Sequence, residues 1–134
     1  MTIQHSVAVQ NAMLDAKETA ISTAPKLQIR TGAAPANCAA ADSGTLLAEL
    51  PLPSDWLAAA SGGVKSKSGT WSGTGSAAGN AGHYRIKDTA GTTCHEQGTI
   101  TATGGGGDMT MDNISIAVSQ AITVNTYSNT AANQ

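Results

Sequence analysis

At 134 residues the chain has the length of one domain with a real core. A formal charge of −2, with 12% charged residues, excludes the basic footprint of a nucleic-acid or anionic-membrane binder, and so low a charge argues against disorder of the whole chain. Leu, Ile and Val number 20, Phe is absent, and Ala, Gly, Ser and Thr number 68, so the core is expected to be shallow and supplemented by subunit contacts.

The N-terminus, MTIQHSVAVQNAMLDA, has neither the cationic start nor the apolar run of a signal peptide. No apolar run reaches the roughly 18 residues of a membrane-spanning helix. The chain is therefore expected to stay in the reducing cytoplasm where it is made. There Cys38 and Cys94, 56 residues apart, are expected to be free thiols, since spacing alone cannot pair them.

Residues 4–21 are the one good helix candidate, with Val7, Leu14 and Ile21 on a seven-residue stripe and Ile3 and Met13 nearby. Pro25 ends it. KLQIRTG (26–32) alternates Leu27 and Ile29 with Lys26, Gln28 and Arg30, the pattern of a half-buried strand. Residues 33–44 read as a small-residue loop or short helical turn, and 45–52 as a strand stopped by Pro51 and Pro53. Ser54 is placed to cap a helical turn carrying Trp56 and Leu57.

From Val64 onward the pattern is β. It predicts a strand over 64–71, a flexible connection over 72–82, a strand at HYRIK (83–87), a DTAG turn and a long strand over 92–103. A mobile GGGGD loop follows, and a last strand alternates Ile122, Val124 and Thr126 with Thr123, Asn125 and Tyr127. About seven to eight short strands after one helix predict a mainly β fold, an antiparallel β-sandwich or jelly-roll-like domain. The expected organisation is a single domain over 1–134: a helical segment at 1–22, the sandwich at 26–128 and a flexible tail at 129–134.

GHYRIKDTAGTTCHEQGTI (82–100) concentrates the chemistry-bearing residues. A four-residue loop pairs Lys87 with Thr92 and sets His83 opposite Glu96; a three-residue loop sets His83 opposite His95. In either register Cys94 and Glu96 flank His95 and point away from it, so one strand cannot offer all three to a metal ion. No metal or cofactor site is expected. No catalytic motif accompanies His5, His83 or His95, nothing in the spacing pairs Asp42, Asp55, Asp108 or Asp112, and the chain is not expected to be an enzyme. GTGSAAG lacks the GK[ST] ending of a phosphate loop, and TGGGGD lacks a following helix. Trp56 and Trp71 read as core, with a sugar platform as the alternative.

The runs KLQIRTGAAPANCAAADSGTLLAELPLPSDW, SGTWSGTGSAAGNAGHYRIKDTAGTTCHEQGTI and QAITVNTY resemble small structural proteins of tailed double-stranded DNA phages. The likeness covers roughly residues 5–128 and lies in structural rather than chemical motifs. It implies a virion component without enzymatic activity, most simply a capsid cement or decoration protein that binds the major capsid protein lattice. A neck, tail or fibre part, or a carbohydrate-binding module of the tail, is the alternative. A homo-oligomer, dimer or trimer, is expected, with neither nucleic acid nor membrane as partner. The expected contact residues are Ile3, Val7 and Leu14 on the helical segment and Trp56 and Leu57 at the 54–57 turn.

Overall fold

The computed structural model describes residues 3–131. The chain is mainly β, with one N-terminal helix among the described residues. That helix, α1, spans Val7–Ile21; the Ser6 hydroxyl caps it by accepting the Val9 N–H at 3.3 Å. It therefore starts three residues later than the periodicity predicts. Leu14 and Ile21 of the expected stripe turn inward with Gln10, whereas Val7 stays 53% exposed.

Among the described residues nine strands follow: β1 (Lys26–Thr31), β2 (Leu46–Pro51), β3 (Val64–Ser66), β4 (Ser72–Thr74), β5 (Gly79–Lys87), β6 (Cys94–Ala102), β7 (Met109–Met111), β8 (Ser115–Ile116) and β9 (Ala121–Thr130). They form one curled, half-barrel mixed sheet in the order β2-β1-β5-β6-β7-β9-β3, with β4 on β9 and β8 on β5. β5, nine residues long, pairs with β1 and β6 along its sides and with β8 at its start.

One pair departs from the expected antiparallel pattern: β6 and β7 run parallel, Ile100 beside Met109. Parallel neighbours ordinarily need a crossover of a dozen or more residues. Here the four-glycine run makes the return in one tight loop. Gly105 N–H donates to the Ala102 carbonyl at 2.9 Å and Gly107 N–H to the Thr101 hydroxyl at 2.9 Å. A Cβ at Gly105 would lie 2.7 Å from Thr101 Cβ. The loop read from sequence as mobile is packed against β6.

Other corrections follow from tertiary pairing. No helical turn forms at 54–57: Leu57 bridges Lys67, and Ser54 caps nothing. Of the expected 64–71 strand only 64–66 is regular, while the 72–82 connection supplies β4 and the start of β5. In β9 a register shift separates the Thr110–Thr126 and Met111–Val124 pairs, so Tyr127 joins Ile122 and Val124 inside. The expected tail begins too early. Asn129 and Thr130 pair with Lys65 and Val64, and Ala131 N–H donates to Gly63 at 2.9 Å; residues 132–134 lie outside the described residues.

The core compensates for its poverty in large side chains by joining every aromatic ring of the chain. Trp56 and Trp71 lie 5.9 Å apart, Trp71 and Tyr127 5.1 Å, and Tyr127 meets Tyr84 edge-on at 6.1 Å. Trp56 Nε1 donates to the Ser22 carbonyl at 3.1 Å, fixing the end of α1 to this row. Leu27, Ile29, Leu47, Leu50 and Ile86 pack around it, all at 0% exposure. Trp71→Ala removes the middle of the row and is expected to cost about 3–5 kcal/mol in urea unfolding; a loss below about 1 kcal/mol would show that the rings are not the core's centre.

Candidate functional site

The β5–β6 hairpin holds the residues singled out in the sequence, but in neither expected register. Lys87 pairs with Cys94, Ile86 with Glu96, Tyr84 with Gly98 and His83 with Thr99. The turn is longer than DTAG because Asp88 captures the next residues: its carboxylate accepts the N–H groups of Thr92 at 2.8 Å and Thr93 at 3.3 Å. The Thr92 bond, the largest cause, holds the Asp88 carboxyl down at about 2. His95 is the extra residue of a bulge between the Cys94 and Glu96 pairs. That bulge sends Cys94 and Glu96 to opposite faces of β6. The two imidazoles are also separated, His95 exposed and His83 wholly buried with Nδ1 2.9 Å from the Gly32 carbonyl.

On the core face, Glu96 accepts the hydroxyl of Tyr84 at 2.8 Å and that of Tyr127, and forms an ion pair with Lys17 of α1. Burial first, and the Glu96 charge second, push both phenols far above their ordinary range, so they remain protonated donors. Gly98 makes this packing feasible, because a Cβ there would lie 2.8 Å from the Tyr84 ring. The group is a clasp between helix, hairpin and β9.

On the opposite face, three cations converge on one carboxylate. Asp42 pairs with Arg30 of β1 at 3.0 Å, with Lys87 of β5 at 2.6 Å, and with Arg85 of β5. Burial opposes the Asp42 charge, but hydrogen bonds from Lys87 and Arg85 and the Arg30 charge prevail and hold its carboxyl below the ordinary value. Arg85, 1% exposed, also donates to the carbonyls of Asn37, Cys38 and Ala40. The cationic face of β1 and β5 is thus covered by the 33–44 loop.

That loop is fastened covalently. Cys38 and Cys94 are joined as a disulfide with Cα atoms 5.2 Å apart, inside the range such a bond requires, which corrects the expectation of free thiols. The bulge at His95 brings the pair together, since it places Cys94 on the face that the loop covers. Beside the bond opens a cavity of about 720 Å³, bounded by residues 38–42, Arg85, Lys87 and the 92–94 segment.

The expected contact residues divide. Ile3 is 74% and Val7 53% exposed, but Leu14, Trp56 and Leu57 are buried at 7%, 0% and 2% and belong to the core. Trp56 and Trp71 have no surface for a sugar, which removes the basis of a carbohydrate platform. Met13, expected beside the stripe, is exposed on α1 together with Val9, which the heptad did not mark and which lies one helical turn from it. The Asp42 cluster also escapes sequence reading: its only local trace is the alternation of cations along β1 and β5.

Among the described residues no group of three His, Cys, Asp or Glu is placed to hold a metal ion, and no helix is long and apolar enough to cross a membrane. Comparison with protein-family models, with curated proteins and with solved structures found no match.

The disulfide closes a chain segment of 56 residues, so its removal is expected to destabilise the protein by about 4 kcal/mol through the freed unfolded chain. Urea unfolding with and without reductant, and of Cys38→Ser with Cys94→Ser, measures this. Equal midpoints would mean that the ion pairs alone hold the loop.

Proposed function

We propose that the chain is a structural component of a phage virion, of the capsid cement or decoration kind, that grips the major capsid protein lattice through its N-terminal arm. The observation that carries this reading is a row of exposed apolar side chains on the first turns of a helix that is itself seated on the β body through Gln10, Leu14 and Ile21. Ile3, Val7, Val9 and Met13 are exposed there at 74%, 53%, 44% and 42%. The far half of the helix is anchored by Leu14 and Ile21, by the Lys17–Glu96 pair, and by Lys65, which meets Asp15 at 2.6 Å and Glu18 at 2.8 Å. Lys65 is itself 1% exposed, while its carboxylate partners Asp15 and Glu18 remain partly open to solvent.

Such an arm loses little freedom on docking, which favours binding. An interface of about 800 Å² per partner suffices for specificity, and a ligand that binds only the assembled lattice stabilises it by mass action. The disulfide supports a place of work outside a reducing cytoplasm, virion surfaces being among the sites where such bonds persist. We read the curled sheet as a relative of the sandwich and jelly-roll type. β4 comes against β2 closely enough that a Cβ on Gly73 would lie 3.0 Å from Leu50 Cγ. Self-association as a dimer or trimer through the same arm belongs to this proposal.

The test is a variant carrying Ile3→Ser, Val7→Ser and Met13→Ser. Its unfolding free energy is expected to stay within about 0.5 kcal/mol per exposed site. Its co-sedimentation with heads stripped of the protein is expected to fall at least about tenfold. Full decoration by the variant would overturn the arm as the contact surface. Quantitative mass spectrometry of virions is expected to show a copy number that scales with the capsid lattice. A few copies per particle, set by ring symmetry, would assign the protein to the neck, tail or fibre instead.

A further inference from the structure

The cavity beside the disulfide has a charge imbalance that the fold does not resolve. Arg30, Arg85 and Lys87 are 9%, 1% and 5% exposed, and all three pair with the single carboxylate of Asp42. Two positive charges are left over in a desolvated setting, where unpaired charge is costly. The neighbouring acid, Glu49, is taken by Lys26 at 3.6 Å and by the Gln28 amide at 2.8 Å. Asp88 at the hairpin turn keeps its charge but turns its carboxylate to the N–H groups of Thr92 and Thr93, and it does not line the cavity.

Lys87, which lines the cavity, also keeps donors in hand. Lys87 carries three N–H donors and gives one to Asp42 at 2.6 Å. Arg85 Nε is buried without a hydrogen-bond partner among the described residues, although both terminal nitrogens of its guanidinium are engaged. The volume, about 720 Å³, lies within the roughly 300–1,000 Å³ of small-molecule sites.

We propose that this cavity binds a phosphate-class dianion, either free phosphate or the phosphate group of a small molecule, with Lys87 as its direct ligand and Arg85 and Arg30 supplying field. The excess of positive charge along this wall, three cations on the one carboxylate of Asp42, favours a dianion over a single carboxylate. Asp42 stays as the shared counter-ion that keeps the empty site folded, and the Cys38–Cys94 bond holds its wall in place. This inference does not depend on a role in a virion.

The probe is inorganic phosphate, titrated into the oxidised full chain at constant ionic strength with chloride as the control anion. In two-dimensional amide NMR, saturable shifts are expected at 38–42, 85–87 and 92–94, with the α1 and β9 amides unmoved. Calorimetry is expected to show affinity about tenfold weaker for Lys87→Met and restored in part by Lys87→Arg. Phosphoserine binding more tightly than phosphate assigns the site to a phosphorylated small molecule, and equal binding assigns it to phosphate itself; both support the site. Shifts that fail to saturate, that spread over all surface lysines, or that persist unchanged in Lys87→Met overturn it. Because the NMR arm uses the unaltered protein, a variant that fails to fold leaves the result decisive.

Discussion

The pairing of Asp42 with three buried cations is the constraint around which the β1–β5 half of the structure is organised. Strands β1 and β5 are covered on both faces, one by the aliphatic and aromatic core and the other by the 33–44 loop. A cationic face can be buried only if carboxylate and carbonyl oxygens accompany it. The loop brings both, since Asp42 supplies the charge and the carbonyls of Asn37, Cys38 and Ala40 receive Arg85. The disulfide keeps those acceptors near their donors, so ionic and covalent links act on the same segment.

The same hairpin serves the other half of the molecule through its opposite face. Glu96 gathers Tyr84, Tyr127 and Lys17, and thereby ties α1 to the end of the aromatic row. Small residues are essential to this economy: Gly98 leaves room for the Tyr84 ring, and the glycine run folds β7 back beside β6. The outcome is a body on which α1 is seated along its length by Gln10, Leu14 and Ile21, with Val7, Val9 and Met13 left on its exposed flank.

Much of this was legible in the sequence. Leu27 and Ile29 are correctly placed on the buried side of β1 by alternation alone, HYRIK is correctly a strand, and Pro25 correctly bounds the helix. Alternation shows which side chains share a face, but not whether something covers that face. Gln28, Arg30, Arg85 and Lys87 therefore read as solvated, although a small-residue loop without periodicity buries them. Bulges at His95 and near Asn125 reverse the phase within a strand, and no local residue announces either one. The disulfide was hidden for a related reason, because a separation of 56 residues carries no distance. Trp56 and Leu57 looked like surplus apolar surface only because the bridge from Leu57 to Lys67 is a tertiary contact.

The most direct test of the central constraint is the urea unfolding free energy of Asp42→Asn against the native chain at neutral pH. Removing one partner of a fully buried pair costs about 3–5 kcal/mol. The Asp42 side chain keeps 29% exposure while its partners keep 2–11%, so a loss of roughly 2–3 kcal/mol is predicted, with the 33–44 amides exchanging faster. Stability unchanged within about 0.5 kcal/mol, with that loop still protected, would contradict the account.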